Sequence, residues 1–247
     1  MELEALAFGA HADDVEINCG GTIIKLAALG HATGVIALTR GEMATRGTPE
    51  IRAEEFKASA EIMGLAVHKM LDLPDGRIEV SWENKLKIIA EIRAHRPKIV
   101  FAPYWVERHP DHEQTSHLVR ESAYLSGLGK IDTGQDPFRP LRIIFYRGRF
   151  EFAPSFVIDT SGFFDRKMRA IRAYASQFDR PDRGGSGPGS EETPLNRHEF
   201  LDHIEVRDRK AGLQIGAKTG EPFLIREALK VDDPVALFGP ESRWTIP

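Results

Sequence analysis

Four short apolar runs in the first half of the chain, "LEALAFGA", "ATGVIALT", "VHKMLDL" and "KIVFAPY", are each followed by a longer stretch of helical period. Strands that alternate with helices in this way form a mostly parallel sheet with helices on both faces, because the helix carries the chain back to the start of the next strand. The helical stretches cover about residues 15–29, with Gly30 as a C-terminal stop, then 48–64 with Pro49 near its start, 81–95, and a segment that begins at Pro110. Beyond Gly129 the rhythm loosens. "LRIIFYRG" and "SFVIDTS" read as two more strands, followed by a helix over 163–177 and a last one over 198–212. Between those helices, "DRPDRGGSGPGSEETP", residues 179–194, reads as a long mobile loop of the kind that often carries function.

At 247 residues the chain fits one Rossmann-like α/β domain spanning 1–247. A formal net charge of -4 supplies no electrostatic reason to bind nucleic acid or an anionic membrane. The N-terminal "MELEALAFGA" is acidic where a secretory signal is basic, and no apolar run approaches the roughly 18 residues of a membrane span. A soluble cytoplasmic protein is therefore expected. The single cysteine, Cys19, excludes an intramolecular disulfide and a zinc site built from several thiolates.

Chemistry concentrates where two of the apolar runs end. In "AFGAHADDVE" the first run leads directly into His11, Asp13 and Asp14, and after "KIVFAPYWVE" the same arrangement recurs as His109, Asp111 and His112. Ligands of open parallel sheets bind beyond the C-terminal strand ends, so if both strands lie mid-sheet these two clusters meet. Two histidines and a carboxylate from these loops make a facial zinc site with a position open to water. His11 and Asp14, at i and i+3, can be aimed at one metal from a single turn, while Asp13 points elsewhere and is free to act as a base. His109 and His112 share that spacing, so one can ligate while the other faces substrate. Asp13 and Asp111, outside the ligand set, can hold a proton and orient an imidazole. His31, His68, His95, His117, His198 and His203 have no such carboxylate company and read as surface or structural residues. "CGG", residues 19–21, reads as a place of close helix packing.

"GAHADDVEINCGGTI" together with "APYWVERHPDH" resembles the signatures of the zinc-dependent N-acetylglucosaminyl deacetylases of the PIG-L/LmbE family, and the likeness runs over most of the chain. "TRGEMATRGTPEIRAEE", "IMG", "YASQF" and "TPL…IGAK…EPF" look most like the branch that deacetylates N-acetylglucosaminyl malate in bacillithiol biosynthesis. The resemblance implies an LmbE-like fold and one zinc per subunit, held by His11, Asp14 and His112. It implies Asp13 as general base and His109 as a positively charged group facing the developing oxyanion, oriented by Asp111. It further implies substrate contacts from Arg52 and from Asp75, the latter to a sugar hydroxyl, and often a homo-oligomer. Arg108 is a candidate for the malate carboxylate, because guanidinium groups bind carboxylates bidentately. On charge alone, Arg52 has Glu55 as an alternative partner and Arg108 has solvent. Two departures stand out: Ala12 replaces the proline of the usual signature, and Phe200 stands where some members place a tyrosine near the oxyanion.

Other classes share parts of this pattern. A metal-dependent phosphohydrolase also uses His and Asp at strand ends, but such sites often hold two metals bridged by carboxylates, and this chain offers three good ligands. A nucleotide-binding module would place G-x-G-x-x-G after the first strand, where this chain has "GAHADD", whose acids repel a pyrophosphate.

Overall fold

The computed structural model describes residues 1–179 and 192–237. The strands are β1 (Ala5–Gly9), β2 (Thr33–Ala37), β3 (Val67–Met70), β4 (Ile99–Pro103), β5 (Arg142–Tyr146), β6 (Phe156–Asp159) and β7 (Gly220–Leu224). They form a seven-stranded sheet in the order β3-β2-β1-β4-β5-β7-β6. The helices are α1 (Asp14–Ala28), α2 (Pro49–Met63), α3 (Trp82–His95), α4 (Pro110–Leu125), α5 (Phe164–Arg172), α6 (Ala175–Phe178), α7 (His198–Leu213) and the single turn α8 (Pro234–Leu237). Six strands run in one direction, and β7 alone is reversed, antiparallel to both β5 and β6. The expected single α/β domain with a mostly parallel sheet is what forms.

Strand periodicity divides the core in two. In β1, Ala5 and Ala7 face a cluster with Val15, Ile23 and Ile24 of α1, Phe56 of α2 and Ile171 of α5. Leu6 and Phe8 face the opposite cluster, with Ile88 and Ile92 of α3 and Leu118 and Val119 of α4. Each fully buried side chain of this size contributes about 1.5–3 kcal/mol, so both faces of the central strand are anchored. The chain runs outward from β1 through β2 to β3, then crosses back to place β4 on the other side of β1. That reversal opens a crevice beyond the C-terminal ends of β1 and β4.

Three features depart from the sequence expectation. The strand β7 is absent from the sequence pattern, since Pro222 within "GEPFL" argues against a strand. Pro222 lies opposite Val157 of β6, while the pairing with β5 uses only Phe223 and Leu224. The helix expected over 163–177 is broken at Ala173 and Tyr174, where Tyr174 leaves the helical region with φ -85° and ψ 61°. The first helix is also interrupted, at Cys19, with φ -144° and ψ 18°. Of the expected loop at 179–194, residues 180–191 lie outside the described residues.

The break in α1 has an electrostatic counterpart. Glu221 of β7 accepts hydrogen bonds from Gly21 N at 2.9 Å and Thr22 N at 2.7 Å, capping the helix where it restarts. Gly21 is needed for this approach, because a Cβ there would meet Glu221 Oε1 and Thr160 at 3.0 Å. The close packing expected at "CGG" is therefore with a carboxylate. Lys167 of α5, fully buried, neutralises Glu221 at 2.6 Å and Asp208 of α7 at 2.6 Å. One cation thus ties β7, α1, α5 and α7 together. Replacing it leaves the buried Glu221 carboxylate without its counter-ion and Asp208 with Arg207 at 3.3 Å, so Lys167→Met is expected to cost about 3–5 kcal/mol. The check is urea denaturation followed by circular dichroism, where a midpoint within error of the wild type would show that the network carries no net stability.

Candidate metal and catalytic centre

Both signature clusters sit where the topology brings strand ends together. β1 and β4 are neighbours, pairing Ala5 with Ile99 and Ala7 with Phe101, so the residues after Gly9 and after Pro103 share the crevice. Gly9 permits the chain to fold back at once, since a Cβ there would meet Asp14 Cβ and the His11 carbonyl oxygen at 3.0 Å. On the other side, His109 caps α4: its Nδ1 accepts the Asp111 N–H at 3.2 Å, and Pro110 begins the helix. His112 then projects from the first turn.

Asp14 is the hub of the site. Its Oδ2 accepts the His11 backbone N–H at 2.9 Å and lies 3.6 Å from His11 Nδ1, while its Oδ1 lies 3.1 Å from His112 Nε2. His11, Asp14 and His112 each bring one ligand atom to within 4.8 Å of the others. Burial disfavours the Asp14 charge, yet the His112 and His11 imidazoles outweigh it and hold the carboxyl well below its usual range. A buried carboxylate facing two imidazoles is a donor set of two nitrogens and one oxygen that suits a divalent metal. A second trio, His11, His109 and Asp111, also converges within 4.8 Å. Its Asp111 oxygens are engaged elsewhere, accepting Gly76 N at 2.7 Å and Ile78 N at 3.2 Å.

Asp13 is buried beside this hub with a backbone φ of 111°, a left-handed conformation rare outside glycine. Burial raises its carboxyl above the ordinary value, and Asp14 adds to the rise against the opposing pull of Arg52. Arg52 of α2 is 3% exposed, and its Nη2 donates to Asp13 Oδ2 at 3.1 Å and to the Ala12 carbonyl. Of the site groups, the geometry brings the Arg52 guanidinium to Asp13, where it holds an acid of the site. Glu55, its alternative partner, instead accepts from Ser176 N and Oγ.

Asp75 and Asp111 also take positions other than those expected. Asp75 Oδ1 lies 3.0 Å from His11 Nε2, leaving Nδ1 toward Asp14, which is the carboxylate–histidine arrangement that fixes the tautomer of a metal ligand. Asp75 Oδ2 accepts Met43 N at 2.9 Å. Asp111 orients His109 through its backbone N–H, while its carboxylate pins the 76–78 loop and comes within 3.5 Å of His11 Nε2. His109 is also not favoured as a cation: burial, then His112 and His11, hold its imidazole below the usual value. With Nδ1 accepting a backbone N–H, its neutral form carries the proton on Nε2. Arg108 is exposed and its guanidinium forms no ion pair among the described residues. Phe200 is away from this centre, stacked on Phe178 at 5.8 Å and packed against the core. Sequence reasoning gave no role to the surrounding residues Glu16, Tyr174 and Ser59, although Glu16 and Tyr174 lie within the quoted "HADDVE" and "YASQF".

The family model of PIG-L, GlcNAc-PI de-N-acetylase, matches residues 6–123. Diacetylchitobiose deacetylase of Thermococcus kodakarensis is 34% identical over 190 residues, covering 71% of this chain and 70% of that protein. The probable N-acetyl-alpha-D-glucosaminyl L-malate deacetylase 2 of Bacillus cereus is 28% identical over 193 residues, covering 72% of this chain and 84% of that one. Among solved structures, the conserved protein TT1542 of Thermus thermophilus is similar with a TM-score of 0.82 at 37% identity, covering 93% of this chain and 98% of that chain. No helix among the described residues is long and apolar enough to cross a membrane.

The geometry makes metal affinity sensitive to Asp75 and to pH. Asp75→Asn weakens the acceptor that fixes the His11 ring, so metal affinity is expected to fall about 10–100-fold in competition with a chromophoric chelator. Burial disfavours the His11 proton, but Asp111, Asp14 and Asp75 outweigh it and raise the imidazole well above 6.5. A ligand must be neutral, so uptake displaces that proton and apparent affinity is expected to climb with pH through and above 6.5. Affinity independent of pH, or untouched by Asp75→Asn, would remove His11 from the ligand set.

Proposed function

Because the chain belongs to the PIG-L family, we propose that it is a metal-dependent hydrolase that removes the acetyl group from an N-acetylglucosamine-containing compound. The observation that carries this reading is the convergence of His11 and His112 on Asp14, with Asp13 buried alongside and hydrogen-bonded to Arg52. His11, Asp14 and His112 would hold one zinc ion. Such an ion supplies Lewis acidity, lowering the pKa of water and polarising a carbonyl oxygen.

The remaining steps fall to the chain's own groups. Asp13, its carboxyl raised by burial, accepts the proton of the attacking water. His109 donates its Nε2–H to the oxygen that gains charge as the amide carbonyl becomes tetrahedral, and a neutral imidazole suffices for this. Asp13 then returns its proton to the departing amine, and acetate and the free amino sugar leave. Arg52 and Asp75 serve by holding Asp13 and His11 in place.

The finer substrate assignment turns on the group that the N-acetylglucosamine carries. Diacetylchitobiose, on which the Thermococcus relative acts by name, presents a second neutral sugar, whereas a malate conjugate presents carboxylates. Arg108, exposed and next to His109 in sequence, would supply the guanidinium for such a carboxylate. Similarity at 34% identity to the chitobiose enzyme supports the neutral disaccharide at least as well as 28% supports the malate conjugate of bacillithiol synthesis.

Acetate release from N,N′-diacetylchitobiose and from N-acetylglucosaminyl malate by the zinc-loaded protein is the direct test. Turnover of at least one is expected, and no acetate from either with the metal in place would overturn the deacetylase reading. Asp13→Ala is expected to keep its metal and lose about 10²–10⁴-fold in kcat. Arg108→Ala is expected to raise KM for the malate conjugate alone, and an equal rise for both substrates would remove Arg108 from carboxylate recognition.

A further inference from the structure

Behind the centre lies a line of buried polar groups to which the steps above give no task. Tyr174, at the break between α5 and α6, is fully buried, and its hydroxyl donates to Glu16 Oε1 at 2.6 Å. Ser59 of α2 also donates to that oxygen, at 3.2 Å. The other face of the arrangement is Arg52, whose guanidinium carbon stands 5.1 Å from the centre of the Tyr174 ring. Arg52 in turn donates to Asp13 Oδ2. A continuous strut therefore runs from Glu16 through the Tyr174 ring and the Arg52 fork to Asp13.

We propose that Tyr174 is a positioning residue for the deacetylation: its ring holds the Arg52 fork, and through that fork the Asp13 carboxylate, in the orientation that receives the proton of water. This rests on the assignment of Asp13 as the base. Two observations require such a support. Asp13 sits in a left-handed backbone conformation and makes no helix-capping bond, so Arg52 is the side-chain hydrogen-bond partner that sets its carboxylate. Arg52 itself is under-anchored, because its buried Nε and Nη1 find no hydrogen-bond partner among the described residues. Only Nη2 is bonded, to Asp13 and to the Ala12 carbonyl, and a long side chain held at one nitrogen is free to roll about that point. The Tyr174 ring lies within cation–π range of that guanidinium, and a planar fork held between the ring and Asp13 is oriented in a way that a point-charge ammonium is not.

The local fold is arranged around this contact. Tyr174 leaves helical geometry between α5 and α6, and α6 is then fastened to the same helix that carries Arg52: Ser176 N and Oγ donate to Glu55 at 2.6 and 2.7 Å. Gln177 Nε2 donates to the Arg46 carbonyl at 2.8 Å, closing the other side. The Tyr174 hydroxyl bond to Glu16 fixes the ring from α1.

The test is steady-state acetate release by zinc-loaded Tyr174→Leu and Tyr174→Phe, with whichever of the two sugar substrates the wild type turns over. Tyr174→Leu is expected to lower kcat about 10–100-fold with KM and bound zinc unchanged, since a small misplacement of a catalytic group has that effect. Tyr174→Phe keeps the ring and is expected to recover most of kcat. In an Asp13→Ala background, Tyr174→Leu is expected to cause no further loss. A kcat within twofold of wild type for Tyr174→Leu, or an equal additional loss in the Asp13→Ala background, would overturn the positioning role. An Asp13→Ala protein that kept its turnover would instead sink the base assignment beneath it. If Tyr174→Leu does not fold, Arg52→Lys carries the same test, with a comparable kcat loss at constant KM expected and a kcat within twofold of wild type counting against the proposal.

Discussion

The parallel pairing of β1 with β4 is the constraint on which the site depends. Ala5, Leu6 and Ala7 lie beside Ile99, Val100 and Phe101 across the middle of the sheet, and both strands are buried on both faces. Slipping this pair by one residue would turn Leu6 and Phe8 away from α3 and α4 and expose a different set of side chains. The register is therefore held by burial on both faces, and the two strand ends inherit that precision. Asp14 and His112, about a hundred residues apart in sequence, meet at 3.1 Å because neither end is free to wander. The site is placed at two strand-to-helix junctions, with Asp14 and His112 in the first turns of α1 and α4 and His11, Asp13 and His109 in the short turns just before them.

Support comes from carboxylates used as struts. Asp111 gathers the backbone N–H groups of Gly76 and Ile78, which sets the loop that carries Asp75, and Asp75 then meets His11 Nε2. Farther out, Glu221 caps the restarted half of α1 with Lys167 as its counter-ion. Each strut ties an element of the site to an element remote in sequence. Buried charges of this kind add little net stability when complete and cost several kcal/mol when broken, so they define one arrangement rather than deepen it.

How much of this was legible depends on range. The β/α alternation, the helix starts at Pro49 and Pro110, and the i, i+3 pairing of His11 with Asp14 are local patterns, and each appears where it was expected. The meeting of "HADD" with "HPDH" could be reasoned because open parallel sheets place their ligands by a topological rule. The second layer could not. Asp75 and Arg52 stand out in the sequence, but which group each touches depends on contacts 64 and 39 residues away, which no spacing encodes. Tyr174 is one letter of "YASQF", and the kink that turns its ring inward contradicts the helical period around it. β7 is hidden by Pro222, a residue tolerated because its ladder position faces β6 past the end of β5.

The two adjacent acids of "HADD" show how one turn yields opposite chemistries from the same residue type. Both Asp13 and Asp14 are buried, and burial alone would push both carboxyls up. Asp14 escapes because two imidazoles face it, which drives its carboxyl well below the usual range and makes it a permanent anion suited to a cation. Asp13 faces a single guanidinium from one side and the charge of Asp14 from the other, so its carboxyl remains raised and able to exchange a proton. Separation of this kind is how a site obtains a ligand and a base from two carboxylates. It requires that the backbone aim them apart, and the left-handed φ of Asp13 does so: Asp14 begins α1 facing the histidines while Asp13 turns toward α2. The strain at one residue is thus the geometric cost of giving neighbouring acids different partners.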